Sequence, residues 1–416
     1  MSDIAHSAGV SDHRGPIWRL PEIRRAPHAF RTVARLAAQN WRFGALTFVL
    51  PSGREITIGG REPGPHARLI VHDFRFVRRV LTAGDIGFAE GFIAKEWDTP
   101  DLAKLLRAFT LNLDKLTRLL SGNPLVIAAN AVGHFFHRNT RRGSRRNIHA
   151  HYDLGNRFYA SWLDPSMTYS SARFSDAGAD LHTAQHEKYA SLARAMDLQA
   201  GHSVLEIGCG WGGFAEFAAK DVGAKVTAIT ISREQFDYTR ERMARAGLSD
   251  RVDVQLIDYR DVTGAFDRIA SIEMFEAVGE RYWPTYFETV RERLKPGGRA
   301  GLQIITIRDD LFADYRRRAD FIQKYIFPGG MLPSEERLAQ VVESAKLGWQ
   351  RVERFGQDYA RTLHLWADRF MEKWGQIHPL GFDERFRRLW LFYLGYCEAG
   401  FATGRTDVIQ LSLNRA

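Results

Sequence analysis

The chain has 416 residues, of which 45% are hydrophobic and 26% charged, so its composition excludes a disordered chain and a fibrous repeat. Because domains usually have roughly 100–200 residues, this length predicts two of them. The two cysteines, Cys209 and Cys397, are too few for a disulfide framework or a four-thiolate metal site. No signal peptide or stretch of roughly 18 uncharged apolar residues is evident, so we expect a cytoplasmic protein without a metal site.

Basic charge is concentrated in the N-terminal third of the chain. Residues 1–150 hold 23 Lys and Arg against 12 Asp and Glu, while residues 151–416 hold 35 against 37. Such a surplus favours a polyanionic partner, and nucleic acid and anionic lipid headgroups both qualify. The alternative is a solvated basic surface that has no ligand.

The N-terminal elements follow from local patterns. Residues 1–30 are aperiodic and predict a tail. Apolar and polar residues alternate from Ala45 to Val71, which predicts a β-hairpin, and helical periodicity predicts helices at 74–81 and 101–120. We assign residues 31–137 to a small α/β domain and the basic run 138–146 to a linker. The apolar stretch Pro124 to Phe136 fits either a core helix or a helix lying on a bilayer.

From residue 147 onward, strands alternate with helices. This pattern is typical of a doubly wound parallel sheet with helices on both faces, so the fold class predicted for 147–416 is α/β. The predicted strands are Ser203 to Ile207, Lys225 to Ile231, Val252 to Ile257, Arg268 to Ile272 and Arg299 to Ile307. A helix is expected from Arg233.

A glycine-rich turn follows the first of these strands. It contains Gly208, Gly210 and Gly212, and Glu206 precedes it. Glycines let the backbone approach a ligand closely, although tight packing is an alternative reason for them. The second strand ends in a polar cluster where a dinucleotide fold would have an acidic residue for the ribose. That cluster consists of Thr230, Ser232 and Gln235.

Together these features resemble the cyclopropane-fatty-acid synthase family of S-adenosylmethionine-dependent methyltransferases. The resemblance covers about residues 85–416. It is carried by seven segments: Gly84 to Leu106, Asn147 to Phe174, Val204 to Phe214, Thr230 to Gln235, Met274 to Gly279, Lys324 to Ser334 and Phe355 to Trp366. It implies a Rossmann-like class I methyltransferase domain with a smaller N-terminal α/β domain.

The resemblance also implies a site for S-adenosylmethionine. A zwitterionic amino acid and a ribose need short polar groups, whereas adenine needs an apolar or aromatic slot. The matching residues are Tyr169 and Ser170 for the methionine end, Gly208 and Gly210 for the backbone-lined pocket, Thr230 and Gln235 for the ribose and its neighbouring atoms, and Tyr259 and Arg260 beside the adenine. Glu206, Gly212 and Ser232 complete the predicted cofactor-binding set.

In the family, a lipid alkene attacks the sulfonium methyl, and a bound bicarbonate then removes a proton from the resulting carbocation. Glu276 and Tyr359 match two of the side chains that hold the bicarbonate. Ser171 and Gln303 replace the family's Cys and His, while Ile305 occupies the place of an isoleucine that donates its backbone N–H. The bicarbonate site is therefore either weakened or replaced.

Glu273 offers such a replacement, because the family usually has glycine there. A glutamate carboxylate is chemically similar to bicarbonate, so an inward-facing Glu273 would be a tethered base. The alternative is a side chain that points to solvent or pairs with a neighbour such as Arg268.

We therefore predict an enzyme that transfers a methyl or methylene group from S-adenosylmethionine to the double bond of an unsaturated phospholipid acyl chain. Both cyclopropanation and C-methylation stay open. The expected location is the inner face of the membrane, on an anionic surface, with no nucleic-acid partner, and a homodimer is one possible assembly. The rival hypotheses are a methyltransferase of a soluble small molecule and a non-catalytic lipid-binding subunit with the same fold.

Overall fold

The computed structural model describes residues 25–119, with side chains up to residue 112 in that range, and residues 154–416. The chain divides into two compact units, Met1–Gly122 and Asn123–Ala416. The linker predicted at 138–146, the stretch Pro124 to Phe136 and most of the tail at 1–30 lie outside the described residues. The domain boundaries drawn from the sequence therefore stay predictions.

The N-terminal unit is a small sheet with helices, as the sequence predicts. Its described elements are α1 (His28–Asn40), β1 (Phe43–Val49), β2 (Glu55–Gly59), β3 (Glu62–Val71), α2 (Arg75–Ile93), β4 (Trp97–Asp98) and α3 (Leu102–Leu119). The sheet has the order β2-β1-β3-β4. Strands β1 and β2 form the predicted hairpin, whereas β3 runs parallel to β1. The buried Asn112 of α3 fixes the start of β1, because its Oδ1 accepts from the backbone N–H groups of Arg42 and Phe43.

The C-terminal unit alternates helices with strands. Its helices are α4 (Asn156–Trp162), α5 (Leu181–Ala195), α6 (Gly213–Phe217), α7 (Arg233–Arg245), α8 (Trp283–Arg293), α9 (Asp309–Tyr315), α10 (Phe321–Tyr325), α11 (Glu335–Ser344), α12 (Gly356–Glu372), α13 (Trp374–Ile377) and α14 (Glu384–Ala402). Its strands are β5 (Ser203–Ile207), β6 (Lys225–Thr230), β7 (Val252–Leu256), β8 (Phe266–Ile272), β9 (Leu294–Ile307), β10 (Gly348–Arg354) and β11 (Thr406–Asn414).

These seven strands form one sheet in the order β10-β11-β9-β8-β5-β6-β7. Strands β5 to β9 are parallel, whereas β11 is antiparallel to both of its neighbours. The predicted α/β fold is therefore confirmed, with one antiparallel strand that the sequence pattern did not indicate. In such a sheet, ligands bind beyond the carboxyl ends of the parallel strands.

Both faces of the sheet are buried. Successive strand residues point to opposite faces, and Leu205 and Ile269 belong to one apolar cluster while Val204 and Ala270 belong to another. The first cluster includes Trp283 and other residues of α8 and α11, and the second includes residues of α5 and α6. Because helices cover both faces, polar groups can meet a ligand at the edge formed by the carboxyl ends of the parallel strands.

Strands β10 and β11 were not predicted from the sequence. Strand β10 is half exposed along most of its length, and charged residues interrupt its apolar pattern. Strand β11 is buried but carries Gln410 and Ser412 at buried positions, which hides the apolar run expected of a central strand. In the described parts of the chain, none of the helices combines the length and apolarity needed to cross a bilayer.

Candidate active site

The glycine-rich turn lies at the carboxyl end of β5, and all three of its glycines have positive φ. A Cβ at Gly208 would lie 2.7 Å from Met274 Cγ, and one at Gly212 would lie 2.7 Å from Thr239 Cγ2, so close packing excludes larger residues at both positions. At Gly210, which has a φ of 53°, a Cβ would meet no protein atom within 4 Å. Gly210 is therefore the position where the backbone is open to a ligand.

The polar cluster after β6 is bonded internally and buried. The Thr230 hydroxyl donates to Gln235 Oε1 at 2.9 Å and accepts from the Ser232 N–H at 3.1 Å. Ser232 caps α7, because its Oγ accepts from the Gln235 N–H at 3.3 Å. The cluster thus holds the end of β6 against the start of α7.

Tyr259 and Arg260 follow β7. Arg260 forms two hydrogen bonds from its guanidinium to Asp258, at 2.8 and 2.6 Å, and lies over the Tyr259 ring. Burial raises the pKa of Tyr259 to about 12, so this phenol is neutral at physiological pH. Asp258, which the sequence analysis did not select, orients Arg260 beside this aromatic group.

Tyr169 packs among aromatic rings, and Glu206 is buried in β5. The hydroxyls of Tyr169 and Tyr393 are 2.7 Å apart, and the Tyr169 ring lies 5.3 Å from that of Trp366. Burial raises the pKa of Glu206 well above its usual range, and its Oε2 has no hydrogen-bond partner among the described residues. The charges of Arg242 and Lys188 oppose this rise.

Glu273 faces inward at the end of β8 and accepts three hydrogen bonds. Its Oε1 accepts from the Ser171 backbone N–H at 2.8 Å and from Gln303 Nε2 at 2.7 Å. Its Oε2 accepts from the Tyr359 hydroxyl at 2.6 Å. The sequence also allowed Glu273 to point to solvent or to pair with Arg268. The guanidinium of Arg268 contacts Asp197 instead.

The backbone of Glu273 has a φ of 50°, a conformation that glycine adopts freely. A residue with a Cβ adopts it at a cost of about 1–2 kcal/mol. This explains why the family resemblance leads one to expect glycine here. Burial raises the pKa of Glu273, while its hydrogen bonds and the charge of Lys188 oppose that rise.

Glu276 lies in a different environment. The Ile305 backbone N–H donates to its Oε1 at 2.5 Å, whereas its buried Oε2 has no hydrogen-bond partner in the described parts of the chain. Burial, followed by the charge of Glu273, raises the pKa of Glu276 to about 8. Glu276 is therefore mainly protonated at neutral pH, while three donors favour the ionised form of Glu273.

The structure thus brings Ser171, Gln303 and Tyr359 together around Glu273, and places Ile305 on Glu276. One detail differs from the expectation. The side chain of Ser171 does not face the carboxylate, because its Oγ donates to the carbonyl of Ala172. The backbone N–H of Ser171 makes the contact instead.

Comparison with known proteins supplies the family. Residues 139–411 match the profile of the mycolic acid cyclopropane synthetase family. The chain belongs to this family. The tuberculostearic acid methyltransferase UfaA1 of Mycobacterium tuberculosis is 37% identical over 421 residues, covering 98% of this chain and 97% of the relative. The cyclopropane-fatty-acyl-phospholipid synthase of Escherichia coli K12 is 35% identical over 367 residues, covering 86% and 90%.

Among solved structures, the mycolic acid cyclopropane synthase CmaA1 complexed with SAH and CTAB matches with a TM-score of 0.62 and 29% identity, over 65% of this chain and 98% of CmaA1. The resemblance found in the sequence is therefore confirmed. This family member is an S-adenosylmethionine-dependent enzyme that modifies lipid acyl chains. The open backbone at Gly210 and the short polar groups after β6 fit this cofactor.

Several buried polar groups that were not predicted from the sequence contact residues of this site. Lys188 and Gln185 of α5 bond to Ser170, and Gln410 of β11 bonds to Gln303. A signal for Lys188 was available. Helical spacing places it between Ala184 and Leu192 on the buried face of α5, where a lysine is unusual.

Replacing Gly210 with Val should remove cofactor binding. The branched side chain would enter the space above the turn and would also be strained at positive φ. We expect the affinity for S-adenosylhomocysteine, measured by calorimetry, to fall by roughly 100-fold or more, or ~2.7 kcal/mol. Gly247→Val is the matched control, because Gly247 has a φ of 68° and also meets no atom. Equal affinity losses in both variants would contradict a cofactor site at Gly210.

Glu276→Gln should flatten the pH dependence of stability. The folded protein holds the Glu276 proton up to about pH 8, whereas the ordinary pKa is 4.5. Between these values the folded state binds more protons than the unfolded state, so this carboxyl lowers stability as pH rises. The melting temperature of Glu276→Gln should therefore fall less from pH 5 to pH 8 than that of the wild type. The exposed Glu343→Gln should follow the wild type, and an unchanged slope in Glu276→Gln would contradict the raised pKa.

Proposed function

We propose that this enzyme transfers a methyl group from S-adenosylmethionine to the double bond of an unsaturated acyl chain of a membrane phospholipid, with Glu273 as the base. The observation that carries the proposal is the inward carboxylate of Glu273, which accepts from Ser171, Gln303 and Tyr359. A carboxylate held in this way has a fixed position and an available lone pair.

Bicarbonate does not fit beside these residues. The side chains of Gln303 and Tyr359, which the resemblance assigns to that anion, donate to Glu273 instead, and the Ser171 backbone N–H does the same. The Ile305 N–H donates to Glu276. An additional anion would displace Glu273 or lie against its charge. Glu273 therefore takes the place of the external base, and no step is assigned to bicarbonate.

The cofactor pocket is proposed to consist of the residues predicted from the sequence. Gly210 would face the cofactor through its open backbone, with Gly208 and Gly212 shaping the turn. Thr230, Ser232 and Gln235 would lie at the ribose, and Tyr259 with Arg260 at the adenine. Tyr169 and Ser170 would contact the methionine end, while the buried Glu206 would support the turn from β5.

When bound, the cofactor supplies an electrophilic methyl group and leaves as S-adenosylhomocysteine. The alkene of the acyl chain forms the new carbon–carbon bond, which leaves a carbocation on the chain. Aromatic rings can stabilise such a cation by roughly 0.5–2 kcal/mol each. Tyr359, which donates to Glu273, supplies one such ring, and Phe401 stacks on it at 4.3 Å between centroids. The Trp366 ring lies 6.2 Å from that of Tyr359 and 5.3 Å from that of Tyr169.

Glu273 then accepts a proton, and the electrons of the broken C–H bond complete the product. Loss of a proton from the new methyl group closes a cyclopropane ring, whereas loss of a chain proton leaves a branched alkene. Glu276 is proposed to act as a neutral neighbour whose protonation prevents repulsion between the two carboxyl groups. Two relatives that match most of this chain bear names for a methyltransferase and a cyclopropane synthase, so both products are tested.

The test is analysis of membrane lipids from cells that express the protein and receive methionine with a trideuterated methyl group. A cyclopropane retains two deuterium atoms, whereas a branched alkene formed by loss of a chain proton retains three. An acyl chain without any added deuterium would reject the proposal. A labelled soluble compound instead would support the rival small-molecule methyltransferase, and no labelled product would support the non-catalytic subunit.

Glu273→Gln should lose product formation by roughly 10²–10⁴-fold, the range for removal of a general base. The amide preserves size but has no basic oxygen. Glu276→Gln is the matched control and should lose far less, because the amide resembles the protonated acid already present. Turnover is measured with saturating cofactor, and cofactor affinity should stay constant. Equal losses in the two variants would contradict the division of roles.

Glu273→Gly extends this test, because glycine suits the φ of 50° and frees the three donors. Added bicarbonate or formate should restore part of the activity of this variant and leave wild-type activity unchanged. If depletion of bicarbonate inactivates the wild type, Glu273 is not the base.

We also propose that the N-terminal surplus of positive charge attracts the enzyme to anionic lipid at the inner face of the membrane. This rests on the 23 Lys and Arg against 12 Asp and Glu in residues 1–150. Each basic residue near such a surface contributes about 1 kcal/mol, and salt screens the attraction. The homodimer stays a prediction, to be tested by light scattering.

Binding of the full-length protein to vesicles that contain phosphatidylglycerol should weaken as salt rises from 50 to 500 mM. Charge reversal at the exposed Arg61 and Arg78 should weaken it further. The same reversal at the exposed Arg240 and Arg245 of the C-terminal unit is the control and should have a smaller effect. Equal effects of both pairs would contradict a role for the N-terminal charge.

A further inference from the structure

Lys188 is a fully buried lysine in the middle of α5. Its ammonium group donates to Ser170 Oγ and to Gln185 Oε1, each at 2.7 Å, and lies 4.6 Å from the centre of the Tyr189 ring. No carboxylate oxygen of the described residues forms an ion pair with it within 4.0 Å. Buried ammonium groups are costly and are normally paired, so this arrangement requires an explanation.

Compensating negative charge lies somewhat farther away. The carboxylates that attract the Lys188 ammonium are, in order of strength, Glu273, Asp164 and Glu206. Asp164 has a partner of its own in His182, at 3.0 Å, and Glu206 has a pKa raised well above its usual range. Of the three, Glu273 attracts the Lys188 ammonium most strongly. Burial nevertheless lowers the pKa of Lys188 to about 7.

Two buried routes connect Lys188 with the Glu273 carboxylate. In the first, its ammonium holds Ser170 Oγ while Gln185 Nε2 donates to the Ser170 carbonyl at 3.0 Å, and the next residue, Ser171, donates its N–H to Glu273. The ammonium thus fixes the peptide that supplies one of the three donors.

The second route passes through β11 and β9. The Lys188 carbonyl accepts from Gln410 Nε2 at 3.0 Å, and the same nitrogen lies 3.1 Å from Gln303 Oε1. Gln303 then donates to Glu273 through its Nε2. This second route uses the main-chain carbonyl and fixes α5 relative to Glu273 whatever the side chain at position 188, so only the first route depends on the lysine ammonium.

We propose that Lys188 is a positioning residue: it is the buried counter-cation of Glu273 and, through Ser170, holds the peptide that binds this carboxylate in its proton-accepting form. The inference rests on the proposed function, because it assigns a role relative to the base Glu273. Lys188 itself does not contact the reacting atoms in this scheme. Its positive charge favours the ionised carboxylate, and loss of that charge raises the pH needed to ionise Glu273.

Other charged or titratable groups also face Lys188 and Glu273, and a test must distinguish their titration from that of these two residues. They are Asp164 before α5, Tyr189 on α5, Glu206 on β5, Glu276 after β8 and Tyr359 on α12. Burial raises the pKa of Tyr189 and that of Tyr359 above the ordinary value of 10, so both phenols stay neutral across the range of an activity profile.

The test is the pH profile of kcat/KM with saturating cofactor for Lys188→Met, which keeps the side-chain length but removes the charge. The acid limb of this profile should move to a pH about one unit higher. At pH values below the limb, kcat/KM should then be about tenfold lower than in the wild type. Activity should recover at high pH. The matched control is Lys220→Met at an exposed position, which should leave the limb unchanged. A second variant, Lys188→Gln, retains hydrogen bonding to Ser170 and serves as the test if the Met variant does not fold.

A purely structural role would lower the melting temperature or reduce activity equally at all pH values, without moving the limb. That result in a folded Lys188 variant overturns the inference. It is distinguishable from failure of the proposed function, because Glu273→Gln reports on the base separately. If Glu273→Gln is inactive and the limb of the Lys188 variants does not move, only the counter-cation role is wrong. If Glu273→Gln is fully active, the base assignment fails and the inference fails with it.

Discussion

The hydrogen-bonded carboxylate of Glu273 is the contact on which the active site depends. Its donors come from the loop before α5, from β9 and from α12, which lie 102, 30 and 86 residues away along the chain. The three donors also offset the cost of burying a carboxylate and of a positive φ. All three segments must be in place before this side chain is stable in its inward position.

The two neighbouring carboxyl groups of the site avoid mutual repulsion because one of them is protonated and the other is stabilised by hydrogen bonds. Glu273 and Glu276 lie three residues apart, yet three donors favour the charge of the first, while the second has one backbone donor and an unbonded oxygen. Environments that separate the pKa values of neighbouring carboxyl groups allow one to act as a base while the other stays neutral. The ammonium of Lys188 adds a positive charge behind the first carboxylate, so little uncompensated charge is buried.

Aromatic side chains pack around Tyr169, one of the predicted cofactor-binding residues. Tyr169 is surrounded by Tyr159, Trp162 and Trp366, and its hydroxyl contacts that of Tyr393 on α14. Trp390 and Tyr393 are buried, and the hydroxyl of Tyr393 also reaches a site residue, so packing and the shape of the site are properties of the same helix.

The sequence by itself determined the fold class, because alternating strands and helices are local patterns. It also pointed to the family and its cofactor, through a resemblance carried by short segments such as the glycine turn. It also selected Glu273, Gln303 and Tyr359 as relevant positions. Only the tertiary structure decided that Glu273 points inward, that Ser171 acts through its backbone, and that Lys188 lies behind the carboxylate. These facts depend on φ at one residue and on contacts between distant segments, and neither leaves a pattern along the chain. The antiparallel β11 was missed for a related reason, since its buried glutamine gains a partner only when β9 and α5 are in place.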